Sequence, residues 1–197
     1  MKHVSTGEQS MEFHNLETLR TIIRPIAEND IKDFLYYRSN AEVAMYQYWE
    51  PFTHEEAVDY INKYKNSKPG VHGEWFQLGI VEKRSGYLIG DCALKFDMHN
   101  LCAEVGCNLS CDHQKKGIAT EGLQCLFDYA FRELELHRIF AITDYDNIAS
   151  IKLLERLNMR KEGHFIKNVW FKGNWGSEYS YAILEDEWFK KTEGRFL

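Results

Sequence analysis

The chain has no long apolar run, so nothing in it marks a membrane span or a signal peptide. It has no excess of positive charge. Its 24 Lys and Arg stand against 30 Asp and Glu, a formal net charge of −6, which argues against general affinity for nucleic acid. Its five cysteines are an odd number and cannot form a complete intrachain disulfide framework. Cys102, Cys107 and Cys111 fall in one predicted strand at spacings that match no common zinc pattern, so no metal is expected and they read as small, buried, reduced thiols. Two phosphate-binding signatures are missing, the G-x-x-x-x-G-K-[ST] loop and the G-x-G-x-x-G fingerprint. No linker, repeat or low-complexity tract divides the chain. What these absences leave is a cytoplasmic globular protein. Its 197 residues, 44% hydrophobic and 14% aromatic, suffice for one domain with a full core.

The informative stretch runs from Cys102 to Phe131. It opens with a period of two: Ala103, Val105, Cys107, Leu109 and Cys111 alternate with Glu104, Gly106, Asn108 and Ser110, as in a strand. It closes with Leu123, Leu126, Phe127, Ala130, Phe131 and Leu134 at spacings of three and four, as in an amphipathic helix. Between them lies a basic turn, Gln114-Lys115-Lys116-Gly117-Ile118-Ala119. A strand that turns tightly into a helix aims the helix's unpaired N–H groups at one point, where the macrodipole adds about half a positive charge. Gly117 can take a positive φ and Ala119 is small, so ligand oxygens can approach the backbone. With Lys115 and Lys116 beside it, this junction is an anion cradle suited to a phosphate or pyrophosphate. The plain alternative is an ordinary strand-to-helix turn with two solvated lysines.

The remaining periodicities give an order of strand, two helices, three antiparallel strands, helix, strand, helix and two strands. Residues 1–20 read as a loosely ordered, flexible extension with a short helix near Leu16, and 21–197 as the domain. Thr21–Ile26 is a strand stopped by Pro25; Asn29 or Asp30 caps a helix; Thr53-His54-Glu55-Glu56 is a capping box. Trp75–Val81, Tyr87–Phe96 and Cys102–Cys111 follow as strands. Arg138–Thr143 is a compact apolar strand, and Asn147 caps a helix with Ile148, Ile151, Leu154, Leu157 and Met159 inward. Lys161–Phe171 and Glu178–Leu184 close the chain as a hairpin around 172–176. The central strand-helix-strand unit predicts a parallel pair in a mixed, mostly antiparallel α/β (α+β) sheet.

The string Q-x-x-G-x-A at Gln114–Ala119 resembles the pyrophosphate loop Q/R-x-x-G-x-G/A of the GNAT superfamily of acyl-CoA-dependent N-acetyltransferases. Val105-Gly106-Cys107-Asn108-Leu109 is similar to that family's I-G-Y-x-L strand. Thr120-Glu121-Gly122 is similar to the T-E-A opening of the next helix in the branch with the ribosomal-protein N-terminal acetyltransferases. The likeness covers about Thr21 to Trp188. It implies a single-domain GNAT fold whose central parallel strands splay to receive the pantetheine arm of acetyl-CoA. It also implies transfer of an acetyl group to a primary amine, on a protein N-terminus or a small molecule such as an aminoglycoside or polyamine. A homodimer is common in that family.

The same resemblance assigns expected roles. Gln114, Lys115, Lys116, Gly117, Ile118, Ala119 and Thr120 would hold the pyrophosphate, and the backbones of Leu109 and Cys111 the acetyl carbonyl and pantetheine. Asn147-Ile148-Ala149-Ser150 looks like the family's N-x-x-S, with Asn147 on the pantetheine arm and Ser150 donating to the departing thiolate; helix capping is the plainer role. The chain departs from the family at two points. Leu154 stands where many members have a tyrosine acid, and Ile142 where some have a glutamate base. Those roles do not carry over, and a non-catalytic acyl-CoA-binding domain stays open. Glu104 is the base candidate, because it shares a strand face with Asn108 near the acceptor side; an exposed strand glutamate is the alternative. Asp144, Tyr145 and His113 are fallbacks. The acceptor pocket is expected from Tyr46, Trp49, Glu50 and Trp170, whose rings and carboxylate suit an amine.

Overall fold

A computed structural model describes residues 13–193. Strands β1 (Leu16–Glu17) and β2 (Thr21–Pro25) lead into helices α1 (Ile31–Arg38), α2 (Ala41–Ala44) and α3 (His54–Tyr64). Strands β3 (Trp75–Glu82), β4 (Leu88–Phe96) and β5 (Cys102–Leu109) follow, then helix α4 (Ile118–Arg132), strand β6 (Arg138–Asp144) and helix α5 (Ile148–Arg156). Strands β7 (Arg160–Phe171) and β8 (Asn174–Leu184) and helix α6 (Glu185–Glu193) complete the order. The eight strands form one sheet in the order β1-β2-β3-β4-β5-β6-β8-β7. Every neighbouring pair is antiparallel except β5–β6.

The sheet is covered on both faces. On one, α4 buries Leu123, Leu126, Phe127, Ala130 and Phe131, the stripe its three-four spacing prescribes, against Ile23, Leu78, Ile80, Leu94 and Val105. On the other, Ile26, Phe34, Tyr37, Ala57 and Ile61 join α1 and α3 to Val81 and Leu88. The capping box of α3 is present: Thr53 Oγ1 accepts the Glu56 N–H at 3.2 Å, and Glu56 Oε2 accepts the Thr53 N–H at 2.8 Å. Among the described residues no helix is long and apolar enough to cross a membrane.

Several sequence expectations are corrected. Residues 1–12 lie outside the described residues, but from Phe13 the chain is packed. The Phe13 ring meets Phe76 at 5.1 Å and Tyr129 at 5.3 Å. Leu16 belongs to a strand paired with Ile23, not to a short helix, because its side chain is needed in the sheet core. Strand β5 stops at Leu109, and Cys111–His113 form a 3-10 turn. All five cysteines are free, yet Cys92 alone is fully buried. Ile148, in the first turn of α5, is 55% exposed rather than inward. The final hairpin runs longer, turning on Lys172 and Gly173 alone. Both have positive φ, 44° and 84°, which suits a two-residue turn between twisted strands.

The parallel pair positions the site. β5 and β6 are paired at Cys102/Arg138, Ala103/Ile139 and Glu104/Phe140, and no farther. Beyond Glu104, β5 stays with β4 and β6 stays with β8, so the two central strands part.

Candidate active site

The carrier side is built from backbone. Gly117 is the N-cap of α4 at φ 77°, a left-handed value that costs an L-residue about 1–2 kcal/mol. A Cβ there would stand 3.5 Å from Arg20 Nη2. Lys115 also takes a left-handed φ, 57°. The first intrahelical bond of α4 runs from Glu121 N–H to Gly117 C=O at 3.0 Å, so the amides of Ile118, Ala119 and Thr120 lack an intrahelical acceptor. These successive N–H groups at the positive end of a fifteen-residue helix fit a diphosphate. Ile118 contributes its amide only, because its side chain is buried in the core; the Lys115 and Lys116 side chains are exposed. Gln114 points inward: its Nε2 donates to Leu109 C=O at 3.0 Å and ties the turn to the end of β5.

The parted strands continue this side. Ser110 N–H donates to Ile89 C=O at 2.9 Å. Peptide groups alternate along a strand, so the Leu109 N–H is left on the side facing away from β4, where no β6 partner stands. Asn147 Oδ1 accepts the Ser150 N–H at 3.1 Å, which makes Asn147 the N-cap of α5 and puts Ser150 in its first turn, half-buried. Leu154 is buried in the core and Ile142 is partly exposed, so neither position offers a titratable group.

The acceptor side is built from side chains. Glu104 occupies the last paired position before the strands part. Burial raises its pKa; Lys95, opposite it on β4, lowers it, and Glu178 raises it further. Tyr48 donates to Glu178 Oε1 at 2.8 Å, and Asn168 Nδ2 donates to Glu178 Oε2 at 2.6 Å. Partial enclosure of the phenol end and the bond to Glu178 hold the Tyr48 pKa at about 12, with Glu104 and Asp144 adding to the effect. Tyr46 reaches across to Asp146 C=O at 3.3 Å, next to the α5 cap.

Each residue of the expected acceptor set has a partner of its own. Trp49 lies 4.4 Å from the Arg38 guanidinium and edge-on to Phe52, so it packs at the base of the segment. Glu50 is largely exposed and ion-paired with Lys172 at 3.5 Å. Trp170 is 63% exposed and pairs with Trp175 at the tip of the β7–β8 hairpin. Of the fallback bases, His113 sits 3.9 Å from Glu82 with its Nδ1 buried and unpartnered. Asp144 accepts the Asp146 N–H, and Tyr145 stacks on His164.

Beneath the acceptor segment lies a polar network that periodicity cannot announce. Asp91 Oδ1 and Oδ2 accept Arg38 Nη2 at 2.8 and 2.9 Å, and Oδ2 also accepts Tyr37 O–H at 2.5 Å. Gln77 Nε2 and Asn108 Nδ2 donate to the same carboxylate at 3.2 and 3.1 Å. Arg38 and Asp91 are both about 2% exposed. Burial disfavours the Arg38 charge, but the Asp91 carboxylate outweighs it and holds the guanidinium protonated. Phe34, Trp49, Phe52 and Tyr60 surround Arg38 with ring faces at 4.4–5.6 Å.

Comparison with known proteins agrees with this geometry. A family model described as an acetyltransferase (GNAT) domain matches residues 20–160. An uncharacterized N-acetyltransferase of Bacillus subtilis (strain 168), YnaD, is 33% identical over 174 residues, covering 88% of this chain and 99% of that one. A GNAT-family acetyltransferase structure from Bacillus anthracis superposes with a TM-score of 0.81 at 28% identity, covering 88% of this chain and 100% of the other. A spermidine N(1)-acetyltransferase of Vibrio cholerae is 23% identical and covers 87% of this chain and 96% of its own length. With its αL-capped anion cradle and its parted central strands, this chain belongs to the GNAT acetyltransferase family and is an acetyl-CoA-dependent N-acetyltransferase.

Proposed function

We propose that the acceptor is a primary amine, on a protein N-terminus or a small molecule, that enters from the side of Tyr46, Tyr48 and Glu178 and meets the acetyl group where β5 and β6 part. The observation that carries this reading is a pair of features close together along the chain: a strand end open beside Leu109 and, after the turn, a cradle of unpaired amides following Gly117. In it, the amides of Ile118–Thr120 hold the diphosphate, and the Leu109 N–H is the donor for the carbonyl oxygen as it gains charge. Bound acetyl-CoA supplies the activated acetyl group. Ser150 donates to the departing thiolate, and Glu104, through water, takes the proton from the amine. Positioning of this kind is worth roughly 7–11 kcal/mol of barrier. Five free cysteines suit a cytoplasmic, reducing setting.

The carboxylates of Glu104, Asp144 and Glu178 around Tyr48 favour a cationic acceptor. A second reading, a domain that binds acetyl-CoA without turnover, is favoured by one observation, the apolar residues Leu154 and Ile142 at positions that could carry an acid and a base. An acceptor screen with a thiol reporter separates the two. Thiol release with at least one amine, abolished in Gly117→Glu, is the expected result. CoA binding in calorimetry with no turnover over peptide, polyamine and aminoglycoside panels would select the second reading, and absence of CoA binding would overturn both.

A further inference from the structure

Arg20 belongs to none of the motifs above, yet it makes more contacts to the cradle than Lys115 or Lys116. Its backbone N–H donates to Glu121 Oε1 at 2.8 Å and its Nε to Glu121 Oε2 at 2.6 Å. Its Nη1 donates to Lys116 C=O at 2.8 Å. Its Nη2 stands 3.5 Å from where a Gly117 Cβ would project. The side chain is 42% exposed, so the guanidinium lies at the rim and not in the core.

Each contact has a consequence for an incoming anion. Glu121 lies in the first turn of α4, where a carboxylate satisfies the helix dipole but repels phosphate. Held at both oxygens by Arg20, that charge is matched; burial raises the Glu121 pKa, but the Thr18 hydroxyl, the Arg20 N–H and the Arg20 guanidinium together hold it below the usual range. The second contact acts through geometry. In a planar trans peptide the C=O and the following N–H point in opposite directions. Nη1 holds Lys116 C=O toward Arg20, so the Gly117 N–H of that peptide is turned the other way, with its left-handed φ fixed. The third contact leaves Nη2 as a charged donor beside Gly117.

We infer that Arg20 is the phosphate-side clamp of the cradle: it orients the Lys116–Gly117 peptide, cancels the Glu121 charge and presents Nη2 to the phosphates of the carrier. This deepens the reading of the site as an acetyl-CoA cradle and rests on it. It predicts a split between probes. CoA carries the phosphates; pantetheine carries the thiol arm without them.

Calorimetry with CoA, and competition with pantetheine, would be run on the full chain and on Arg20→Ala, Arg20→Gln and Arg20→Lys. Arg20→Ala and Arg20→Gln should each lose about ten- to a hundredfold in CoA affinity, the range for a charged hydrogen bond. Pantetheine competition should stay within twofold, and the salt dependence of CoA binding should flatten. Arg20→Lys should recover part of the loss, because it restores charge without the fork that reaches both Glu121 and Lys116. Arg20→Gln covers the case in which Arg20→Ala fails to fold, since it keeps a donor and most of the stem. CoA affinity unchanged in both variants overturns the clamp, as does an equal loss for CoA and pantetheine, which would mark a purely structural residue. Wild-type protein that binds no CoA would overturn the acetyltransferase site itself.

Discussion

The carrier side and the acceptor side of this molecule are made of different material. On the carrier side the candidate groups are mainly main-chain amides set by local geometry: one glycine at φ 77°, one helix start, one strand end. On the acceptor side they are side chains drawn from four places. Tyr46 and Tyr48 come from the segment between α2 and α3, Glu104 from β5, Asp144 from β6 and Glu178 from β8. Apart from Arg20, the first kind of site depends little on which side chains line it. The second depends on long-range packing to hold its parts together, and Arg38 and Asp91 are at its base. A shared carrier and a variable acceptor call for this division.

The sharpest way to break the contrast is at that base. Arg38→Ala leaves Asp91 and its three other donors buried without their cation, and removes the surface on which Trp49 rests. We expect a loss of about 3–5 kcal/mol of stability, the range for breaking a buried ion pair. Chemical denaturation measures it. A loss under 1 kcal/mol would mean that the acceptor segment does not rest on this network.

The next effect is on chemistry. Glu104 has its pKa raised by burial, so the carboxylate needed for proton removal forms at higher pH than for an ordinary glutamate. Activity should therefore rise with pH through that pKa. Glu104→Gln should remove this limb and lower kcat/KM by about a hundredfold, the low end for general base catalysis. The sign for stability is opposite. A raised carboxyl pKa favours the folded state at low pH and burdens it above the pKa, so the Gln variant should be the more stable one at neutral pH. A pH–rate profile unchanged by the substitution would leave the amine's own ionisation as the controlling proton.

The smallest effect sharpens the other half of the comparison. Lys115 holds a left-handed φ of 57° with an exposed side chain. Lys115→Gly removes the strain but adds freedom to the unfolded chain, and the two leave a net gain of about 0.5–1 kcal/mol. CoA affinity should fall less than threefold, because the binding groups there are amides. A larger drop in a binding titration would make the lysine charge, and not the backbone, the working part of the loop.

The carrier side was readable because its chemistry is written in consecutive residues: Q-x-x-G-x-A between an alternating strand and an amphipathic helix gives the cradle by position alone. The parting of β5 from β6 came from family likeness, since no periodicity in Val105–Leu109 distinguishes a paired strand from a parted one. The acceptor side was legible only as a stretch of aromatics. Tyr46, Trp49 and Trp170, with Glu50 among them, carry no mark in the sequence that tells one environment from another. Three-dimensional context sends Trp49 to Arg38, Glu50 to Lys172 and Trp170 to Trp175. Arg20 was missed because it precedes the first strong strand, in a segment read as loose, and finds its partner 101 positions away. A basic residue immediately before β2 carried no signal by itself.

The short ladder between β5 and β6 has a mechanical meaning. With three residue pairs between them, five strands on one side and three on the other behave as two plates sharing a narrow seam. Each plate keeps its own antiparallel ladder. A change in tilt between the plates therefore falls on this three-pair seam, while the antiparallel ladders on either side keep their backbone pairing.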